Sequence, residues 1–267
     1  MRLADVAWAG AGAATGLVGF NLLMILGVRH AEPAVLGSAV ACIPLVLAIV
    51  APLGAGRLPS GRIVAGGAVV SVGAMLVTGW GRTDAVGILC AAGLIACEAA
   101  FTLCAARAVA RTGVFAYTAG TCAVAAAAFG VLSAVTERPA IDARIVEPIL
   151  YLGVAVTAAA FVLWFTAIDR LGADGAGLCA GIAAPASVLT AAFLGAALPS
   201  PTVWAGIALI AAGLIVGFGR PSRSVAIRPQ NGRWGPLKPT PPEAEARADP
   251  KMRRSVRIGE ALPRRPS

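Results

Sequence analysis

One carboxylate stands alone in the middle of an apolar run: Glu98, inside the stretch 85–106. An ionisable group at that depth in a bilayer costs about 2.5–3.5 kcal/mol on insertion scales unless it is paired, hydrated or protonated. Two uses fit it. Glu98 either couples a proton or contacts a substrate, or it is a protonated, hydrogen-bonded strut at a helix interface. Arg107 follows two and a half turns later, about 13 Å along a helix and beyond direct pairing. Asn21, midway in the first apolar run, carries an amide that can bond a substrate or glue two helices together for about 0.6–2 kcal/mol. Trp164 is placed to line a cavity, whereas Trp8, Trp80 and Trp204 fall near the ends of apolar runs, where indoles form interfacial belts. Pro44 and Pro185 are helix-break candidates. Each frees a backbone carbonyl in mid-span, which is tolerable only against protein or a water-lined cavity.

Other chemistries find no support. Cys90, Cys97 and Cys104 recur every seven residues on one helix face, and thiolates bind soft metals. Their sulfurs are about 10 Å apart along the axis, so they read as small packing residues and no metal site is expected. All six cysteines lie inside apolar spans without a CxxC pair, so no disulfide framework is expected. His30 is the only histidine, which leaves no Ser-His-Asp triad to assemble. No GxxxxGK[ST] sequence occurs. The sequence predicts neither an enzyme nor a cofactor.

The elements that must position these residues follow from composition. The 267 residues are 58% hydrophobic and 13% charged, with a mean hydropathy of +0.82. A soluble domain is nearer 45–50% apolar and about 25% charged, so the class is an all-α polytopic membrane bundle. Runs long enough to span, roughly 17–25 residues, are 6–28, 33–56, 63–81, 85–106, 112–136, 148–168, 175–198 and 203–219. The last two are separated by Pro199-Ser-Pro201. About eight transmembrane helices are expected. The run after Met1-Arg2-Leu3 exceeds the h-region of a signal peptide and reads as an ordinary first helix.

The net charge of +9 is not spread evenly. Residues 1–219 hold 10 Arg and 9 acids, whereas 220–267 hold 12 Lys and Arg, 4 acids and nine prolines. That segment is expected to be a disordered cytoplasmic tail, with Arg220, Arg223, Arg228 and Arg233 set to meet lipid headgroups rather than nucleic acid. With Arg2, Arg57, Arg62, Arg107, Arg111 and Arg170 on the tail's side, both termini are expected in the cytoplasm and the chain in the plasma (inner) membrane.

The chain also repeats itself. At an offset of 141, Phe20 meets Phe161, Leu22 meets Leu163, Arg29 meets Arg170, Pro44 meets Pro185, and Leu53-Gly54 meets Leu194-Gly195. At 140, Leu58-Pro-Ser60 meets Leu198-Pro-Ser200, and Gly66, Gly73 and Gly79 meet Gly206, Gly213 and Gly219. Equivalent helices are five spans apart and cross in opposite directions. This is an inverted-topology repeat, with 6–81 a partial first unit and 85–219 the second, and such repeats place binding sites near the midplane. The pairing puts the helices that carry Pro44 and Pro185 beside a central path. Helices 4 and 5 have no upstream partners, so the chain reads as a ten-helix plan without its first two spans.

Residues Tyr151-Leu-Gly-Val…Thr157, Leu163-Trp164…Ala167-Ile-Asp-Arg170-Leu-Gly-Ala173, Pro185, Phe193-Leu-Gly195 and Trp204-Ala-Gly206…Gly213 resemble the second half of an EamA-like transporter of the drug/metabolite transporter superfamily. Residues 12–81 are similar to the last three helices of the family's first half. The resemblance implies a secondary transporter, an exporter or facilitator of small metabolites. The family often has Leu-Gly-Glu where this chain has Leu194-Gly195-Ala196 and Leu53-Gly54-Ala55. The alternative is a non-transporting paralogue, or a half-transporter that acts as a homodimer or with a partner membrane chain.

Overall fold

The computed structural model describes residues 3–136, 143–195 and 198–219; the expectations for the 220–267 tail lie outside them. The described chain is helical, with one isolated antiparallel bridge between Ala31 and Thr83. Seven helices are long and apolar enough to cross a membrane. The first five are α1 (Ala4–Gly27), α2 (Pro33–Gly54), α3 (Gly61–Thr78), α4 (Ala85–Thr112) and α5 (Val114–Thr136). The next, Val146–Ala180, has 35 residues, about 52 Å of helix against a hydrocarbon core near 30 Å. It is two rods. Gly172 sits at φ 79°, ψ 165°, a conformation that needs glycine. We therefore name α6 (143–171) and α7 (173–193), and close the set with α8 (Pro201–Phe218). Eight rods correspond to the eight expected spans.

The boundaries shift by a few residues, most at the end of α4. The fourth span was expected to stop at 106, before its first arginine, but α4 continues to Thr112. Its arginines are accommodated because both have partners. Arg107 donates to the Gly54 carbonyl at 2.9 Å, and Arg111 to the Asp5 carboxylate at 2.9 Å. The helix ends only where Gly113 takes φ 82°.

The closest packing joins α3 to α8, and glycines make it. A Cβ on Gly66 would lie 2.8 Å from the Gly213 carbonyl oxygen, and one on Gly73 would lie 2.7 Å from that of Gly206. The sequence repeat equates Gly66 with Gly206 and Gly73 with Gly213. Each contact therefore joins one glycine to the equivalent of the other, the pattern generated by a two-fold axis running between two elements. Small residues at such crossings let backbones touch, which is how helices associate where lipid is as apolar as leucine.

Two further irregularities recur at the same spacing. α1 carries a π-helical segment at Ala13–Gly19, and α6 one at Tyr151–Ala159; shifted by 141, they overlap. Each proline helix also breaks just ahead of its proline. In α2 the Cys42 amide bonds to Ala39 instead of continuing the helical ladder; in α7 the Gly181 and Ile182 amides do the same to Leu178 and Cys179. Pro44 and Pro185 are both buried, as a freed carbonyl in a membrane requires. π-bulges are frequent at functional sites, and discontinuous helices form the binding sites of many transporters.

Candidate functional site

Glu98 lies at the middle of α4, thirteen residues after its start and fourteen before its end. A helix turns 100° per residue. Leu89, Ala92 and Ala96 form the exposed stripe of α4, and Glu98 stands 200° beyond Ala96, on the opposite face. Its neighbours on that face, Leu94, Phe101, Thr102 and Ala105, are buried. The carboxylate therefore points into the bundle, where it is half-buried.

Three elements converge there. Gly16 of the α1 π segment lies against the Phe101 ring, and the side chain of Leu23 covers Gly93, so α1 closes one side of Glu98. From α2, Ile43 and Leu47 pack on Ala99, with Ile95 alongside. Trp164 of α6 joins both this cluster and the one built on Phe101, Ala105 and Phe165, so its indole spans the α4 face that carries Glu98. Leu47 continues the contact to Gly177 of α7, which brings the two broken helices together beside the same face.

Two polar atoms in this region are buried without a hydrogen-bond partner: Thr102 Oγ1 and Trp164 Nε1. A buried donor left unmade costs about 1–3 kcal/mol. Thr102 stands out because Thr78, Thr112, Thr118, Thr121 and Thr136 all return their hydroxyls to a carbonyl one turn back. No basic side chain among the described residues answers Glu98. Among the described residues the arginines and His30 occupy loops or the outer turns of helices, and no lysine occurs. Glu98, Thr102 and Trp164 thus share one apolar-walled region at mid-helix. Thr102 shares the Glu98 face by its four-residue spacing, but its complete burial had no signature in sequence.

The other expected residues fall elsewhere. Asn21 is exposed, and its amide donates to the Leu17 carbonyl of its own helix at 2.6 Å. Cys90 and Cys97 pack near Gly27 and Gly19 of α1, as small packing residues do; no group of metal-ligating side chains occurs among the described residues. Trp80 and Trp204 are exposed at helix ends. Trp8 instead packs into the core beneath Arg107, whose guanidinium lies 5.6 Å from its ring centre.

Both ends of the α1–α4 group are clasped by polar contacts. At the end where α1 starts and α4 finishes, Asp5 pairs with Arg111, and Arg107 holds Gly54 at the tip of α2. At the opposite end the α1–α2 and α3–α4 loops are joined by the Ala31–Thr83 bridge, by Glu32–Arg82 at 2.9 Å and by His30–Asp84 at 2.8 Å. Hydrogen bonds from Arg82 hold the Glu32 carboxyl below the usual range. Asp84 is lowered as well, first by the Gly87 amide that it caps and then by His30.

The sequence profile of the EamA-like transporter family matches residues 85–218, from α4 through α8. No curated protein matches the chain in sequence. Among solved structures, one crystal structure superimposes with a TM-score of 0.69 at 22% identity, covering 82% of this chain and 79% of its own. That likeness concerns the fold.

Proposed function

Because the chain belongs to the EamA-like transporter family, we propose that this multi-pass membrane protein is a secondary transporter, an exporter or facilitator of small metabolites. Its path would run between two inverted units, 6–81 and 85–219, in the plasma (inner) membrane with both termini cytoplasmic. The observation that carries this reading is Glu98 at the midpoint of α4, turned inward beside two unsatisfied donors. An intramembrane carboxylate that faces the bundle without a cationic partner is a functional group by default.

The mechanism follows from the surroundings. Glu98 exchanges a proton or a substrate contact, and Trp164 forms one wall. The breaks at Pro44 and Pro185 let the halves of α2 and α7 tilt separately, so that the site opens to one side and then the other. The clasps at the two ends of the α1–α4 group would open in alternation. Asn21 on α1 is a further polar contact for a solute entering past that helix. The basic tail, 220–267, would lie against anionic headgroups.

The test is counterflow of a labelled panel of sugars, amines, amino acids and nucleosides into liposomes holding the purified chain. At least one solute should enter, with a pH dependence that Glu98→Gln removes without loss of folded protein. Absence of flux at every pH contradicts the reading.

One observation favours an assembled form. The first half of α6 is nearly bare: no residue of its π segment is buried, whereas Ala13 and Leu17 of the equivalent α1 segment are buried under α4 and α5. We propose that a homodimer or a partner membrane chain covers this flank.

A further inference from the structure

We infer that the path selects cations: its solute is a small ammonium on an apolar body, paired with the Glu98 carboxylate and lying against the Trp164 indole. The inference rests on the transport reading above and concerns the substrate class of that same site. Charge and burial carry it.

The site offers one acid and no base. Glu98 faces inward from the centre of α4, and the side chains packed about this stretch are Leu23 of α1, Ile43 and Leu47 of α2 and Trp164 of α6, with Ile95 and Phe101 of α4 itself. The nearest arginine in sequence, Arg107, is engaged with Gly54 and Trp8 at the helix end. Arg111 is engaged with Asp5. A carboxylate in apolar surroundings seeks a positive partner, and none stands at that depth among the described residues. An arriving ammonium provides it, and an indole face adds attraction for the same charge. An arriving carboxylate would meet a like charge in the low-dielectric interior, and a neutral solute would leave the acid unanswered.

The unsatisfied donors refine the class. Thr102 Oγ1 and Trp164 Nε1 have no acceptor among the described residues, so a solute oxygen near its cationic group would satisfy them. The preferred molecule is therefore an amine with an ether, hydroxyl or carbonyl oxygen. Proton and ammonium compete for one carboxylate, so loading of the cation displaces the proton when Glu98 carries one.

Three labelled compounds of one shape separate the possibilities: 2-phenoxyethylamine, phenoxyacetamide and phenoxyacetate share the ring and ether oxygen and differ in charge. With the full chain in liposomes, the amine should enter roughly tenfold or more faster than the other two. Glu98→Gln should abolish that preference, Glu98→Asp should keep it, and Trp164→Leu should weaken it. Monodisperse elution of each variant secures the comparison. Comparable entry of the amide or the carboxylate overturns the inference and leaves transport standing. So does entry of solutes from the metabolite panel with none of the three moving. No entry of anything overturns both.

Discussion

Asp5 and Arg111 show how the surroundings of a charge decide its worth. The Asp5 side chain is 10% exposed and its partner 51%, whereas Arg82, paired with Glu32, is 95% exposed. An exposed pair is worth at most about 1 kcal/mol; removing a charge-assisted partner from a buried carboxylate costs about 1–3 kcal/mol. Arg111→Ala should therefore lower the unfolding free energy in detergent by that larger amount, and Arg82→Ala by less than about 1 kcal/mol. Equal losses in denaturant titrations would contradict the difference. Neither pair was legible in sequence, because 106 residues separate Asp5 from Arg111 and 50 separate Glu32 from Arg82. Glu98 was legible, since one acid within an apolar run declares itself. What stands around it was not: Thr102 shares its face by the four-residue spacing but shows no sign in sequence of being buried, and Trp164 meets that face only through the packing of α6 on α4.

At the scale of elements, charge-free runs revealed the rods well, because lipid penalises unpaired charge along a whole helix. The same criterion stopped α4 too early, since it cannot tell a bare arginine from one bonded to Gly54 or Asp5. It also gave no warning of the π segments in α1 and α6, whose hydrogen-bond shift leaves no compositional trace. The glycine series was legible as a repeat, but its purpose appears only in the α3–α8 crossing. There the obstacle to any added Cβ is backbone, at 2.7 Å for Gly73 and 2.6 Å for Gly206, which cannot rotate away as a side chain can. Gly73→Ala and Gly206→Ala should each cost about 1–3 kcal/mol, the usual price of overpacking. Gly10→Ala on α1, with nothing within 4 Å, should stay within about 1 kcal/mol of wild type. Thermal stability of the three variants in one detergent checks this, and a neutral Gly206→Ala would mean that the crossing is looser than described.

Across the whole molecule, the bundle is unevenly covered. α4 and α5 wrap α1 and, with Phe161 and Phe165 of α6, bury Ala13, Leu17, Phe101 and Tyr117, while the repeat-equivalent π segment of α6 stays open. This asymmetry puts Glu98 on the better-packed half, against α1 and α2 but within reach of α6 and α7 across the middle. The central claim is that this point opens to water from both sides of the membrane. It can be tested with Glu98→Cys as the sole thiol, the six native cysteines being replaced by serine or alanine. Oriented vesicles are then treated with a small membrane-impermeant thiol reagent from each face in turn. Ser60→Cys, exposed at a helix start, serves as the control. The account predicts modification of position 98 from both faces, more slowly than at position 60. Full protection of position 98 from both faces, with position 60 labelled, would contradict it.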